Sequence, residues 1–231
     1  MERYIRNIQL KELGESGQRK LLGSSVLIVG AGALGTVVAM YLAGSGVGRI
    51  GVVDYDVIDI TNLQRQLAFT EGDIGRGKAS GLAAKLREIN SGITVECFNE
   101  KLDSLSAEVL FDDYDLIVEA TDRPDSKYMV TETCSRLGKP VVLGGVAQTC
   151  GQVMSIVDTT DVRYRDMFPE SASEGEYLPA SKGGILGPLP GVTGSLQAAE
   201  VIKILTGFGV PLRNSMLMYD LSDMSFRKIE L

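Results

Sequence analysis

The sequence contains no histidine and no tryptophan, and only three of its 231 residues are cysteines. The absence of histidine excludes Ser–His–Asp and Cys–His catalysis, as well as metal binding and proton transfer by imidazole. Cys97, Cys134 and Cys150 form no Cys-x-x-Cys pair, and their spacing fits neither a zinc site nor a disulfide framework. We therefore interpret them as buried free thiols, and we expect any catalysis to depend on Asp, Arg, Lys and backbone amides.

Long apolar runs and an excess of positive charge are also missing. No apolar run reaches the roughly 20 residues that a membrane-spanning helix requires, and MERYIRNIQL at the start lacks the apolar core of a signal peptide. The formal net charge of −7 argues against a general nucleic-acid-binding surface. We therefore predict a cytoplasmic protein that binds neither membranes nor nucleic acid, with a single domain over residues 1–231.

Strand-like and helix-like segments alternate through the first two thirds of the chain. This alternation predicts an α/β protein with a Rossmann-like, doubly wound and mostly parallel sheet. Residues 1–22 predict a helical lead-in, and the strand-like segments 215–221 and 225–231 predict a C-terminal antiparallel extension. Residues 158–190 have little periodicity and several Pro, Gly and Ser residues, which predicts a long loop over the active site.

A glycine turn follows the first predicted strand. Gly30, Gly32 and Gly35 form a G-x-G-x-x-G pattern, in which Ala33 begins the next helix, and Asp54 ends the next strand about twenty residues later. Glycines let the backbone approach a phosphate, the helix N-terminus presents amides, and the acid accepts hydrogen bonds from ribose hydroxyls. The pattern predicts a nucleotide site, and the alternative is tight strand–helix packing without a ligand.

The loop after this acid is rich in amides and cations. It contains Asp56, Asn62, Arg65 and Gln66, and Lys78 begins the helix that follows. Ligands of open α/β sheets bind beyond the carboxyl ends of the strands, and the arginine fork suits phosphate oxygens. These residues therefore predict contacts with a phosphate chain and a ribose, although each of them can also be an ordinary surface charge or helix cap.

A further acid, Asp122, is predicted at the carboxyl end of a later strand, where its oxygens suit Mg²⁺. Two cations, a magnesium ligand and a glycine turn fit a nucleoside triphosphate such as ATP better than a nicotinamide. An NAD-dependent oxidoreductase remains an alternative. The lack of histidine and of a clear second domain argues against it.

Several segments carry a family resemblance, and they occur in this order: RYIRNIQL, VLIVGAGALG, AGSGVGRIGVVDYDVIDITNLQRQ, DIGRGKAS, EATD, GILGPLPGVTGSLQAAEVIK and MLMYDL. Over nearly the whole chain they resemble the ThiF/MoeB/HesA-type, ubiquitin-activating-like adenylyltransferases. The resemblance implies ATP-dependent adenylation of the C-terminal Gly-Gly carboxylate of a small ubiquitin-like sulfur-carrier protein. Thiamine biosynthesis is the first expectation and molybdopterin biosynthesis the second.

The resemblance also implies roles for individual residues. Asp54 would hold the ribose and Asp122 would bind Mg²⁺. Arg6 would reach the active site of the partner subunit in a homodimer. The phosphates would be held by Asn62, Arg65 and Lys78.

Departures from the family pattern qualify these expectations. Relatives usually carry two Cys-x-x-Cys pairs that bind zinc, but Arg163 and Asp166 stand in place of the first pair, so we expect no zinc. Ala180 stands where many relatives have a cysteine, and Arg123 where relatives often have an amide. We therefore expect a separate persulfide donor to attack the acyl-adenylate directly. A partner protein that binds a nucleotide and the carrier without catalysis is the alternative.

Overall fold

The computed structural model describes residues 1–169 and 183–231. Its strands are β1 (Ser25–Val29), β2 (Arg49–Val53), β3 (Thr94–Phe98), β4 (Leu116–Glu119), β5 (Val141–Ala147), β6 (Cys150–Ile156), β7 (Ser215–Asp220) and β8 (Ser225–Glu230). They form one sheet in the order β3-β2-β1-β4-β5-β6-β7-β8. Strands β1 to β5 are parallel to one another, whereas β6, β7 and β8 are antiparallel to their neighbours. The predicted mostly parallel sheet with an antiparallel extension is confirmed.

The helices of the described residues are α1 (Ile5–Ile8), α2 (Gly14–Leu22), α3 (Ala33–Ser45), α4 (Lys78–Ile89), α5 (Ser104–Asp112), α6 (Pro124–Leu137), α7 (Tyr164–Met167) and α8 (Leu189–Thr206). Short 3-10 turns cover Glu2–Tyr4, Ile60–Asn62 and Glu71–Asp73. Within these ranges, no helix is both long and apolar enough to cross a membrane. The cytoplasmic location stays a prediction.

Each face of the sheet carries its own apolar core, because successive side chains of a strand point to opposite faces. Along β1, Val26 and Ile28 belong to the core under α3, α4 and α8. Leu27 and Val29 belong to the core under α5 and α6. A strand buried on both faces appears in the sequence as an unbroken apolar run, and helices on both faces confirm the doubly wound prediction.

The strand order places a crevice at β1. From β1 the chain moves outward to β2 and β3, and it then returns to pair β4 with the other edge of β1. Ligands of open α/β sheets bind at such a reversal of strand order, beyond the carboxyl ends of the strands. The glycine turn after β1 and the turn after β4 therefore face the same crevice.

The segment 158–190 is only partly described. Its described parts contain α7 and the beginning of α8, while residues 170–182 lie outside the described residues. The predicted loop over the active site therefore stays a prediction.

Candidate active site

A cavity of about 1090 Å³ opens at the carboxyl ends of the parallel strands. Its lining starts at the crevice between β1 and β4 and continues to β6, β7 and β8. Most of the predicted site residues line it, namely Gly30, Gly32, Ala33, Asp54, Asp56, Asn62, Arg65, Gln66, Lys78 and Asp122. Gly35 and Arg6 are outside this lining. The fold therefore brings together residues that are up to 92 positions apart in the sequence.

The three glycines of the turn after β1 differ in the space that a side chain would have at each position. Gly30 has a φ of +100°, and a Cβ there would lie 2.8 Å from the carbonyl oxygen of Ala120. A Cβ on Gly35 would lie 1.8 Å from the carbonyl oxygen of Gly30. The nearest atom to a Cβ on Gly32 would be Nε2 of Gln66, at 3.8 Å. Gly30 and Gly35 therefore close the turn against its neighbours, whereas Gly32 keeps the cavity open.

Helix α3 directs its N-terminus at the cavity. Gly32, which has no side chain, occupies the N-cap position, and Ala33 is the first residue of the helix. The first backbone N–H groups of a helix lack partners within it, and the helix dipole attracts negative charge to this end. The end of α3 is therefore suited to a phosphate group.

Asp54 follows β2 directly and is tied to the glycine turn. One carboxylate oxygen accepts the N–H of Ala31 at 2.7 Å, and the other accepts the N–H of Asp56 at 2.8 Å. Burial raises the pKa of Asp54, and these two hydrogen bonds partly offset that rise. The carboxylate is therefore held at the wall of the cavity next to the glycine turn.

Lys78 begins α4 and is almost completely buried, with 8% of the residue exposed. Its Nζ donates to the carboxylate of Asp56 at 2.8 Å. Its backbone N–H donates to the carbonyl oxygen of the same residue, also at 2.8 Å. Because one residue holds both ends of the lysine, its ammonium group has a defined position on the cavity wall.

A capped 3-10 turn precedes Arg65. The side-chain oxygen of Asn62 accepts a hydrogen bond from the backbone N–H of Asp59 at 3.2 Å. The carboxylate of Asp59 in turn accepts one from the backbone N–H of Thr61 at 2.8 Å. The Arg65 guanidinium donates to the carbonyl oxygen of Thr61 at 2.9 Å. Gln66 is buried, and its side-chain oxygen has no partner among the described residues. The loop therefore brings an arginine fork and an unsatisfied acceptor to the cavity.

Strand β4 ends at Glu119, so the prediction that this strand ends on Asp122 is wrong. Asp122 lies on the turn between β4 and α6, where its exposed side chain lines the cavity. The structure also shows a charge pair that the sequence analysis did not identify. Glu119 is fully buried and pairs with Lys127 of α6. The two residues are eight positions apart, and this spacing carries no motif because the pair forms only where α6 packs over the sheet.

Arg6 lies at a distance from the other predicted catalytic residues of its own chain. It is exposed on α1, and its guanidinium donates to the side-chain oxygen of Gln9 at 3.0 Å. Because Arg6 does not line the cavity, its role in the active site of a partner subunit stays a prediction.

The interpretation of all three cysteines as buried thiols is wrong. Cys134 is buried and Cys97 is half-buried, but Cys150 is exposed and lines the cavity. The Cys150 thiol donates to Asp220 at 3.3 Å, and this hydrogen bond is the main cause of its raised pKa. A thiol held in its protonated form is a poor nucleophile.

The residues that replace the first Cys-x-x-Cys pair contact each other. Arg163 and Asp166 form an ion pair at 2.9 Å across the first turn of α7. In the two described ranges, no group of three or more Cys, Asp or Glu side chains could hold a metal ion. Ala180 lies outside the described residues. The expected absence of zinc stays a prediction.

The model of the ThiF family matches residues 4–231. The chain belongs to the ThiF family. A Thermus thermophilus protein named sulfur carrier protein adenylyltransferase is 39% identical over 234 residues, covering 99% of this chain and 86% of its own.

Other relatives are longer than this chain. The Anopheles gambiae protein named adenylyltransferase and sulfurtransferase MOCS3 is 41% identical over 229 residues. The matched region covers 99% of this chain but 52% of that relative, so this chain spans about half the length of the relative. Among solved structures, a crystal structure of E. coli MccB with ATP matches with a TM-score of 0.86 and 26% identity, covering 99% of this chain and 70% of that one. The ThiF-family match and this structural neighbour both confirm the predicted fold.

Proposed function

We propose that this ThiF-family chain catalyses the ATP-dependent adenylation of the C-terminal Gly-Gly carboxylate of a small ubiquitin-like sulfur-carrier protein. The observation that carries the proposal is a single cavity lined by the glycine turn, Asp54, Arg65, Lys78 and Asp122. The names of the sulfur-carrier and molybdopterin-synthase adenylyltransferases among the relatives support it. The first name states no pathway and the second names molybdopterin synthase, so the choice between thiamine and molybdopterin biosynthesis stays open for this chain.

The nucleotide lies along the parallel rim of the cavity in this proposal. Its phosphates meet the N-terminus of α3 above Gly32, which is open to the cavity. Arg65 and Lys78 neutralise the phosphate charge, with Asn62 and Gln66 as neutral hydrogen-bonding partners. Asp54 holds the ribose. The ATP named with the MccB neighbour supports this choice of nucleotide.

Asp122 is the residue that would hold Mg²⁺. Protein sites for Mg²⁺ at nucleotides commonly use one or two carboxylates, with phosphate oxygens and water as the other ligands. The exposed carboxylate of Asp122 on the cavity wall fits that arrangement. A bound ion would supply charge neutralisation at the phosphates.

The reaction then needs no protein nucleophile. A carboxylate oxygen of the carrier forms a bond to the α-phosphorus, the bond to the bridging oxygen breaks, and pyrophosphate leaves. Arg65 and Lys78 position the phosphates and stabilise the charge that develops on them. The protonated thiol of Cys150, which donates to Asp220, has no part in this step.

The remaining parts of the proposal concern partners. The terminal sulfur of a separate persulfide donor forms a bond to the carboxyl carbon of the acyl-adenylate, the bond from that carbon to the AMP oxygen breaks, and AMP leaves. A homodimer supplies Arg6 to the partner's active site, in agreement with the position of Arg6 outside its own cavity. Residues 158–190 cover the bound carrier tail. Among the described residues of this segment, Tyr164 and Gly183 to Ile185 line the cavity and support this placement.

Carrier-dependent exchange between pyrophosphate and ATP tests the proposal. We expect the purified protein to catalyse this exchange with Mg²⁺ and a carrier that ends in Gly-Gly. The Arg65→Ala variant should lose about 100-fold to 1000-fold of the rate. Arg76→Ala is the matched control, because Arg76 lies on the same segment but pairs with Asp73 outside the cavity lining. ATP binding without exchange would instead support a non-catalytic partner protein.

A further inference from the structure

The buried pair of Glu119 and Lys127 has no role in the chemistry proposed above. Glu119 is 0% exposed and Lys127 is 9% exposed. A buried ion pair is weak evidence for stability, because well-packed apolar residues of similar volume often replace such a pair without loss. Its position under the rim that carries Asp122 points to another purpose.

The ammonium group of Lys127 and the carboxylate of Glu119 both make hydrogen bonds to the turn that follows β4. The Lys127 ammonium has three N–H donors, and it contacts Glu119, the carbonyl oxygen of Gly144 at 2.6 Å and that of Thr121 at 3.1 Å. The second oxygen of Glu119 accepts the backbone N–H of Thr121 at 2.9 Å and also the hydroxyl of Thr121. The pair is therefore satisfied by one residue of the turn and by β5.

These contacts fix the peptide that leads into Asp122. The N–H of Thr121 is held by Glu119 and its carbonyl by Lys127, and that carbonyl belongs to the peptide bond with Asp122. The preceding residues are anchored as well. The Ala120 N–H donates to Val29 at 2.9 Å.

Helix α8 adds a further anchor. Gln197 donates to the backbone carbonyl of Glu119 at 2.9 Å. Strand β1, β5, α6 and α8 therefore all hold the short turn that ends in Asp122.

We propose that Glu119 and Lys127 are positioning residues that set the place of the Asp122 carboxylate for Mg²⁺ on the nucleotide. This inference rests on the proposed function, since it concerns the same site. It assigns no contact of either residue with the nucleotide. They act through the Thr121–Asp122 peptide.

The test uses the double variant Glu119→Gln/Lys127→Met, which removes both charges while keeping the side-chain volumes close to the original. We expect ATP affinity without Mg²⁺ to change less than about twofold. The Mg²⁺ concentration for half-maximal ATP binding, measured by calorimetry, should rise about tenfold or more, as supporting residues of metal sites typically cause. Amide hydrogen exchange at Thr121 and Asp122 should accelerate, and Lys127→Arg alone should retain the wild-type Mg²⁺ dependence.

The matched control is Glu200→Gln/Lys203→Met, because this pair on α8 lies outside the cavity lining and should leave the Mg²⁺ dependence unchanged. An unchanged Mg²⁺ dependence in the folded Glu119→Gln/Lys127→Met protein would overturn the inference alone. Failure of the wild-type protein to bind ATP with Mg²⁺ would remove the proposed function and the inference together. If the double variant does not fold, Glu119→Asp, which withdraws the carboxylate from Thr121, must show the same increase.

Discussion

The cavity wall has two halves, one at the carboxyl ends of the parallel strands β1 to β5 and one along the antiparallel strands β6 to β8. They are built in different ways. On the parallel half, the charged side chains of Asp54, Lys78 and Lys127 are held by hydrogen bonds with the protein's own backbone and side chains. On the antiparallel half, the wall includes the exposed side chains of Cys150, Met218 and Arg227. Preorganised charges cost no reorganisation when a phosphate arrives. The comparison indicates that the parallel half is ready for a small ligand, whereas the antiparallel half has free surface for a larger partner.

The largest expected effect tests how rigid the parallel half is. In Gly35→Ala the new methyl group would lie 1.8 Å from the carbonyl oxygen of Gly30, which is backbone and cannot rotate away. We expect the free energy of unfolding to fall by at least about 3 kcal/mol, the upper end for overpacked cores. Chemical denaturation followed by circular dichroism measures this change.

Gly32→Ala is the matched control for that variant. Its methyl group would have only Nε2 of Gln66 nearby, at 3.8 Å. The free energy of unfolding should therefore change by no more than about 1 kcal/mol, the cost of replacing an N-cap glycine. ATP affinity should nevertheless fall, since the methyl group occupies space in the cavity. Equal destabilisation by the two substitutions would contradict the distinction between a packing glycine and a cavity glycine.

The same contrast explains what the sequence could predict. The parallel half has strong local signals. The apolar run of β1, the glycine turn and the acid at Asp54 are adjacent or at a recognised spacing, because the nucleotide-binding geometry is built within one strand–turn–helix unit. Arg65 and Lys78 follow within the same continuous segment. These residues indeed line the cavity together.

The missed features depend on contacts between distant elements. The ion pair of Glu119 with Lys127 requires α6 to fold back over β4 and β5. The exposed thiol of Cys150 depends on where β6 begins at the edge of the cavity. Composition predicts that a cysteine is buried, and only the sheet topology shows otherwise.

A medium-sized effect is expected on the antiparallel half. Arg227 of β8 lines the cavity, whereas its neighbour Lys228 does not. Arg227→Ala should raise the KM for the carrier about threefold to tenfold, in the range of a partly exposed interface residue, and leave the ATP affinity unchanged. Steady-state exchange kinetics with varied carrier, together with calorimetry for ATP, measure the two quantities.

Lys228→Ala provides the control. Lys228 lies on the face of β8 opposite to Arg227, where it pairs with Glu230. It should leave both quantities at the wild-type level. A loss of ATP affinity in Arg227→Ala would contradict the inference that the parallel half binds the nucleotide and the antiparallel half binds the carrier.

The smallest effect concerns acid stability, for which the two halves have carboxylates of opposite behaviour. Hydrogen bonding, first from the Ser222 backbone N–H, lowers the pKa of Asp220 from 3.8 to about 2. A lowered pKa means that the ionised form favours the folded state. This contribution is complete above pH 3.8 and is lost as the pH falls towards about 2. Asp220→Asn should therefore lose stability relative to wild type at pH 6, and the difference should shrink on acidification.

Asp54 has the opposite sign, because burial raises its pKa above 3.8. Its protonated form favours the folded state, so wild-type protein gains stability from this residue as the pH falls through the raised pKa. Asp54→Asn removes that gain, and the stability difference from wild type should grow on acidification rather than shrink. Denaturation curves for the three proteins between pH 6 and pH 2, a window set by these two pKa shifts, measure both trends. Parallel trends in the two variants would contradict the opposite pKa shifts of the two carboxylates.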